Sequence, residues 1–414
     1  MTVGAFSEWR KLPIGISELC INTTLRCGQT FRWHKVPDND EWRCVLYGRL
    51  ISLKQDPSHL YYRTYVQPKR SGSYNGSASE SEDTTLAIIK HYFNLTSNLT
   101  TLYAQWSSSD PNFRKKASQF TGIRILRQDA WEALISFICS SNNNIARIGQ
   151  MVEKLCANYG VHVADVDGRP YHDFPPPERL AEDEGVEARL RSLGFGYRAK
   201  YIYQTAVIIA KQKENGWLNS LRNPEAPAFG VEVVAGQEEE MPPEGRSGYR
   251  EAHEKLLELQ GVGPKVADCV ALMGLGWGES VPVDTHVWQI AQRDYKFGKG
   301  SHKSLTKATY DAVGNHFRKL WGREAGWAHS VLFTADLKTF SDRLVATTKS
   351  AKVDVEVKQE GEGTKITATT TEMNVALKRT ADEGKIKLES DNKQVALVTG
   401  STTSTRRASK RLRR

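Results

Sequence analysis

Lys265 and Asp284 are the residues of this 414-residue chain whose type and setting could do covalent chemistry. Lys265 sits in the run Leu256-Leu-Glu-Leu-Gln-Gly-Val-Gly-Pro-Lys-Val-Ala-Asp-Cys-Val-Ala271. Ala252, Leu256 and Leu259 fall along one face of a helix before the glycines. Gly261-Val-Gly263 reads as a tight turn, in which glycine permits positive φ and close backbone approach. Pro264 suits the first position of a new helix, and Val266, Ala267, Val270 and Ala271 give that helix an apolar side. The result is a helix–hairpin–helix over 249–275. Its free N–H groups form a sequence-independent phosphate site; the plainer alternative is an αα-hairpin with a glycine turn. A lysine in the first turn gains nothing from the helix dipole, which favours anions there. As a neutral amine it is a nucleophile, with phosphate contact as the competing role. Downstream, Val281-Pro-Val-Asp-Thr-His286 makes Asp284 an N-cap. A carboxylate at a helix N-terminus stays ionised and can stabilise a developing positive charge. His286 follows in the first turn, as a phosphate donor or a core histidine.

The elements that must position these groups fall into two kinds. From about Trp9 to Tyr65 the chain is β-rich, with Trp42–Tyr47 and Leu60–Val66 as strands broken by Asp38-Asn-Asp40 and Gln55–Ser58. Ser71–Asp83 reads as a flexible loop. Helices dominate from Leu86 to about Thr339. Trp131, Leu134, Ile135 and Ile138 share one helix face, and Asp129 with Glu132 makes a capping-box-like start. Ile145, Ile148, Val152 and Leu155 mark the next helix, which Gly160 can end. Pro224–Gly248 reads as a disordered insertion that loops out, and 346–414 as a disordered tail ending in the basic run Arg406–Arg414. The expected fold is mainly α with an N-terminal antiparallel β-sheet (α+β). Its expected parts are a sheet domain over 1–120, a helical domain over 121–345 and the tail.

A net charge of +9 and a pI near 9.1 favour a polyanionic partner. The six cysteines include no C-x-x-C pair, which argues against structural zinc and reads as reduced core thiols. No stretch is long and apolar enough to span a membrane, and Met1–Gly15 lacks the apolar region of a signal peptide. The basic tail points to the nucleus, with a mitochondrial share left open.

Six motifs, in one order along the chain, resemble the eukaryotic 8-oxoguanine DNA glycosylases of the helix–hairpin–helix superfamily. They are Cys27–Trp33, Phe137–Arg147, Leu193–Lys200, Gly261–Asp268, Pro282–His286 and Ala325–Phe333, within about Trp9–Thr339. The resemblance implies a bifunctional glycosylase and AP lyase that removes 8-oxoguanine opposite cytosine from duplex DNA. Lys265 would attack the sugar C1′, and Asp284 would stabilise the oxocarbenium-like transition state. The lesion must leave the stack to be reached. By the same resemblance Asn142 fills the vacated space, Arg147 and Arg198 grip the orphaned cytosine, and Tyr197 wedges beside it. Gly261, Gly263 and His286 contact the backbone. Gly28 accepts the N7 hydrogen of the oxidised base, and Cys269 and Phe333 sandwich it. The main-chain carbonyls of Leu257, Leu259 and Val262 would hold a non-catalytic monovalent cation. His329 departs from the family, standing where a glutamine reads the guanine edge; a neutral imidazole offers one donor and one acceptor, so lesion recognition should be altered or pH-sensitive. No organic cofactor or catalytic metal is implied, the partner is duplex DNA, and the chain is expected to be a monomer. Superfamily members for oxidised pyrimidines carry a C-terminal four-cysteine cluster absent from this sequence, and those for alkylated purines lack the hairpin lysine. A non-catalytic DNA-binding protein would leave Lys265 and Asp284 idle.

Overall fold

The computed structural model describes residues 4–66, 78–233, 240–298 and 304–340. Strands β1 (Ala5–Phe6), β2 (Arg10–Pro13), β3 (His34–Lys35), β4 (Trp42–Leu46), β5 (Arg49–Gln55) and β6 (His59–Val66) form an antiparallel sheet. Its order is β1-β6-β5-β4-β3, with β2 also on β6. The register pairs Cys44 with Ile51 and Leu53 with Tyr62. In β6, buried Leu60, Tyr62 and Thr64 alternate with more exposed Tyr61, Arg63 and Tyr65, as a strand with one core face requires. β4 is buried throughout because both its faces are covered. On one side Leu53, Leu60 and Tyr62 pack with Ile88, Ile89, Tyr92 and Phe93 of helix α1 (Ala78–Tyr92) and its end. On the other, Val45 and Leu50 meet Ala164 and Tyr171 of the hairpin β7 (His162–Val166) and β8 (Arg169–His172).

The remaining long helices are α2 (Leu99–Ser109), α3 (Pro111–Ala117), α4 (Ala130–Ile138), α5 (Ile145–Tyr159), α6 (Gly185–Ser192), α7 (Arg198–Val207), α8 (Ser247–Leu257), α9 (Pro264–Met273), α10 (Thr285–Tyr295), α11 (Lys307–Trp321) and α12 (Ala325–Asp336). They share one large core. Trp106 of α2 meets Trp327 of α12, and Phe113 of α3 meets Trp321 of α11, so chain before residue 120 already belongs to this helical core. Among the described residues no helix is long and apolar enough to cross a membrane. All six cysteines are unpaired and buried.

Polar side chains lock sheet and helices together. Arg32 grips Glu132 of α4 with two hydrogen bonds of 3.0 and 2.7 Å, both side chains nearly buried. Gln29 donates to the Arg124 carbonyl at 2.9 Å, accepts from Leu126 N–H at 3.1 Å, and its own carbonyl accepts from Gln128 at 2.8 Å. These bonds fix the segment that carries Gly28.

Local expectations are met unevenly. Asp129 caps α4 by accepting from Glu132 N–H at 2.9 Å, but the Glu132 carboxylate turns to Arg32 instead of closing a capping box. Helix α1 begins at Ala78, inside the segment expected to be a loop; residues 71–77 lie outside the described ones. Parts of the expected insertion are docked. Ala226 is buried, Phe229 packs on Tyr47, and buried Arg246 pairs with Glu279 (2.8 and 3.0 Å) and Glu225 (3.1 Å). A bidentate buried ion pair holds that segment where composition alone suggested a free loop. Residues 234–239, and the tail expected over 346–414, lie outside the described residues.

Candidate active site

The hairpin forms as its sequence requires. Gly261 has φ +77°, and a Cβ there would lie 2.6 Å from the Tyr201 ring. Gly263 differs from the expectation: its φ is −98°, an extended N-cap for α9 with open space beside it. Asp268 then fastens α9 to its neighbours. Its buried carboxylate accepts from the hydroxyls of Tyr249 on α8 (2.6 Å), Ser280 (2.8 Å) and Tyr310 on α11. Lys265, in the first turn of α9, points its Nζ at Ser140 Oγ (3.3 Å) and lies 5.4 Å from the centre of the Phe137 ring.

Asp284 caps α10. Its Oδ1 accepts from the N–H groups of His286 and Val287, both at 2.9 Å. Lys265 and Asp284 border one pocket with Gly28, Cys269, His329 and Phe333. The pocket spans about 470 Å³ of space between these side chains, the open solvent at its mouth included. Gly28 has φ +85°, and a Cβ would press on Ile145 at 3.1 Å. Burial pushes the Cys269 thiol up to about 11, against the pull of the nearby Lys265. Burial likewise lowers His329 to about 4, against the opposing charge of Asp284. The imidazole is therefore neutral at physiological pH, and both its ring nitrogens lack a hydrogen-bond partner. Phe333 packs between the rings of His329 and His286. His286 lies half-buried, with Nε2 3.1 Å from Asp336.

The remaining expected residues lie outside this pocket. Asn142 is exposed at the α4–α5 turn with φ +48°, and Arg147 is exposed one turn into α5. Tyr197 is 46% exposed, and its hydroxyl donates to the Ser141 carbonyl at 3.0 Å. Arg198 is only 3% exposed and is spent on backbone: Nε reaches the Ser141 carbonyl at 3.1 Å, and a second nitrogen reaches the carbonyls of Ser141 and Asn142. Sequence reasoning named neither Ser140 nor Phe137 as a contact of the lysine, because both are ordinary helix-end residues until the fold brings α9 to them.

The three carbonyls expected to hold a cation are those of Leu257, Leu259 and Val262. Among the described residues Leu257 and Val262 accept no main-chain hydrogen bond outside the regular helices, and Leu259 accepts one of 3.3 Å from Val262. Two carbonyl oxygens without such a bond, and a third with a lone pair to spare, suit a hard monovalent ion at a turn, so the residues fit the group. Its chemistry there would be electrostatic, as a bridge to a phosphate.

Residues 11–134 match the family model for the 8-oxoguanine DNA glycosylase N-terminal domain, and residues 135–316 match that of the HhH-GPD superfamily of base excision DNA repair proteins. The N-glycosylase/DNA lyase of Saccharomyces cerevisiae is 35% identical over 84% of this chain and 92% of its own. The chain belongs to the 8-oxoguanine DNA glycosylase family. Its Arabidopsis thaliana relative, N-glycosylase/DNA lyase OGG1, is also 35% identical, over 84% of this chain and 87% of its own length. Among solved structures, that of MBOgg1 in complex with a low-affinity DNA ligand superposes with a TM-score of 0.61 at 25% identity, covering 81% of this chain and 98% of that one. The family's helix-rich architecture with an N-terminal antiparallel sheet is the fold observed here.

Proposed function

We infer that this protein is a bifunctional DNA glycosylase and AP lyase that excises 8-oxoguanine opposite cytosine from duplex DNA. The observation that carries the reading is the convergence of an amine and a carboxylate on one pocket beside a phosphate-binding hairpin. The family relatives named N-glycosylase/DNA lyase support it. The Lys265 amine forms a bond to C1′ while the C1′–N9 bond breaks and its electron pair leaves with the base. Positive charge builds on the sugar as the bond lengthens, and Asp284 stabilises it across a partly desolvated pocket. Opening of the sugar ring yields an imine between Lys265 and C1′. Loss of a C2′ proton then expels the 3′ phosphate. Phe333 and Cys269 supply walls for a flat base, and Gly28 leaves room where a side chain would intrude. Asn142, Arg147 and Tyr197 are exposed and supply DNA-facing groups, and Arg198 holds their turn through the Ser141 and Asn142 carbonyls. We take the protein to act as a monomer, and the basic run Arg406–Arg414 supports nuclear residence.

The test is single-turnover cleavage of duplexes carrying 8-oxoguanine opposite each of the four bases, with borohydride trapping alongside. Rapid cleavage opposite cytosine and a trapped adduct are expected, both lost in Lys265→Gln. Trapping that persists in the variant would remove Lys265 as the nucleophile.

A further inference from the structure

Among the described residues the amine of Lys265 finds one hydrogen-bond partner outside its own helix, a hydroxyl, beside the face of the Phe137 ring. Ser140 follows the C-terminus of α4, and its Oγ donates to the Phe137 carbonyl at 2.7 Å. With that hydrogen committed, only lone pairs are left to face Nζ at 3.3 Å. A neutral amine at this spot must therefore turn an N–H toward Ser140 and its own lone pair elsewhere, leaving that lone pair to the pocket. Such contacts are often long in a free enzyme and tighten when substrate binds. The seat itself is braced. The neighbouring Ser141 carbonyl takes the Tyr197 hydroxyl and two donors of Arg198, and Arg198 also reaches the Asn142 carbonyl at 3.0 Å. Asn142 takes a left-handed φ of +48°, which asparagine tolerates better than most residues.

We propose that Ser140 is the positioning residue of the Lys265 amine, and that Tyr197 and Arg198, by clamping Ser141, keep its hydroxyl in register. This rests on the reading of Lys265 as nucleophile. Ser140 touches no reacting atom; it acts through the lysine. One turn thereby joins the DNA-facing residues to the nucleophile's aim.

Wild type, Ser140→Thr, Ser140→Val and Ser140→Ala are compared in single-turnover base release from an 8-oxoguanine:cytosine duplex, with duplex affinity measured in parallel and Lys265→Gln as reference. Threonine keeps a hydroxyl able to bond the carbonyl three residues back; valine has its shape without the hydroxyl. Ser140→Thr should stay within about threefold of wild type, and the Val and Ala variants should fall at least about tenfold at saturating enzyme, the scale of one lost hydrogen bond in a transition state. Affinity for the duplex should move less than about twofold, since no DNA contact is removed. Equal rates for Ser140→Thr and Ser140→Val overturn the proposal, as does a loss confined to affinity; if the valine variant does not fold, a wild-type rate in Ser140→Ala overturns it equally. Base release by Lys265→Gln at the wild-type rate would instead sink the lysine reading, and the seat with it.

Discussion

Asp284 divides its two oxygens between two tasks. Oδ1 takes both cap hydrogen bonds, and among the described residues Oδ2 takes none, so it is left to the pocket. Asp284→Asn keeps a capping oxygen and loses the charge. Its denaturant-derived stability should change by less than about 1 kcal/mol, since asparagine caps as well as aspartate. Base release should fall by roughly 100-fold or more, since removing a group that meets developing charge costs on that order. A parallel loss of stability and rate would mean that the cap alone matters. Lys265 and Asp284 were legible in the sequence because each sits at a helix start whose glycine, proline or cap signal is local. Ser140 was not, since its chemistry depends on a partner 125 residues away. Arg198 shows the same limit in reverse: the motif marks it as a DNA-facing arginine, and only the fold reveals that it first satisfies its own backbone.

Among the elements, the hairpin was the most readable, because its two helices, its turn and its proline follow from spacing. What spacing could not tell is that the two glycines differ. Gly261 is required by its left-handed φ and by the Tyr201 ring, whereas Gly263 is extended and borders open space. Gly261→Ala should therefore destabilise the protein by about 1–3 kcal/mol in urea unfolding and weaken duplex binding at fixed salt, because the N–H groups of the turn shift with it. Gly263→Ala should do much less to stability; equal effects would refute the distinction. The docking of Ala226, Phe229 and Arg246 escaped sequence reading for one reason. Ser, Glu, Gly and Pro composition argues for loops, and burial of Ala226 and pairing of Arg246 with Glu279 overrule it.

Across the whole molecule, long-range polar ties such as Arg32 with Glu132 join sheet to helices, and no local pattern announces them. Three histidines in different places, His329 buried and His34 and His91 half-buried, carry a pH signature. His34 on β3, His91 on α1 and His329 on α12 are each lowered to about 4, by desolvation first, with nearby arginines adding to it for His34 and His91. The unfolded chain takes up these protons near pH 6.5, before the folded one can. Their stabilising effect is then complete above about pH 6.5 and is lost as pH falls toward 4. His329→Gln should make that acid-side decline shallower by about one proton in urea unfolding measured from pH 7 to 4; an unchanged slope would show that the imidazole is already charged in the fold. The buried cysteines bear on a different kind of durability. Burial raises the thiols of Cys27, Cys44, Cys139, Cys156 and Cys269, so little reactive thiolate forms while the chain is folded. A protein whose substrate is made by oxidants thus keeps its own thiols out of their reach. Its working lifetime under oxidative stress is governed by how often the fold opens, a kinetic property of the architecture, more than by the redox poise around it.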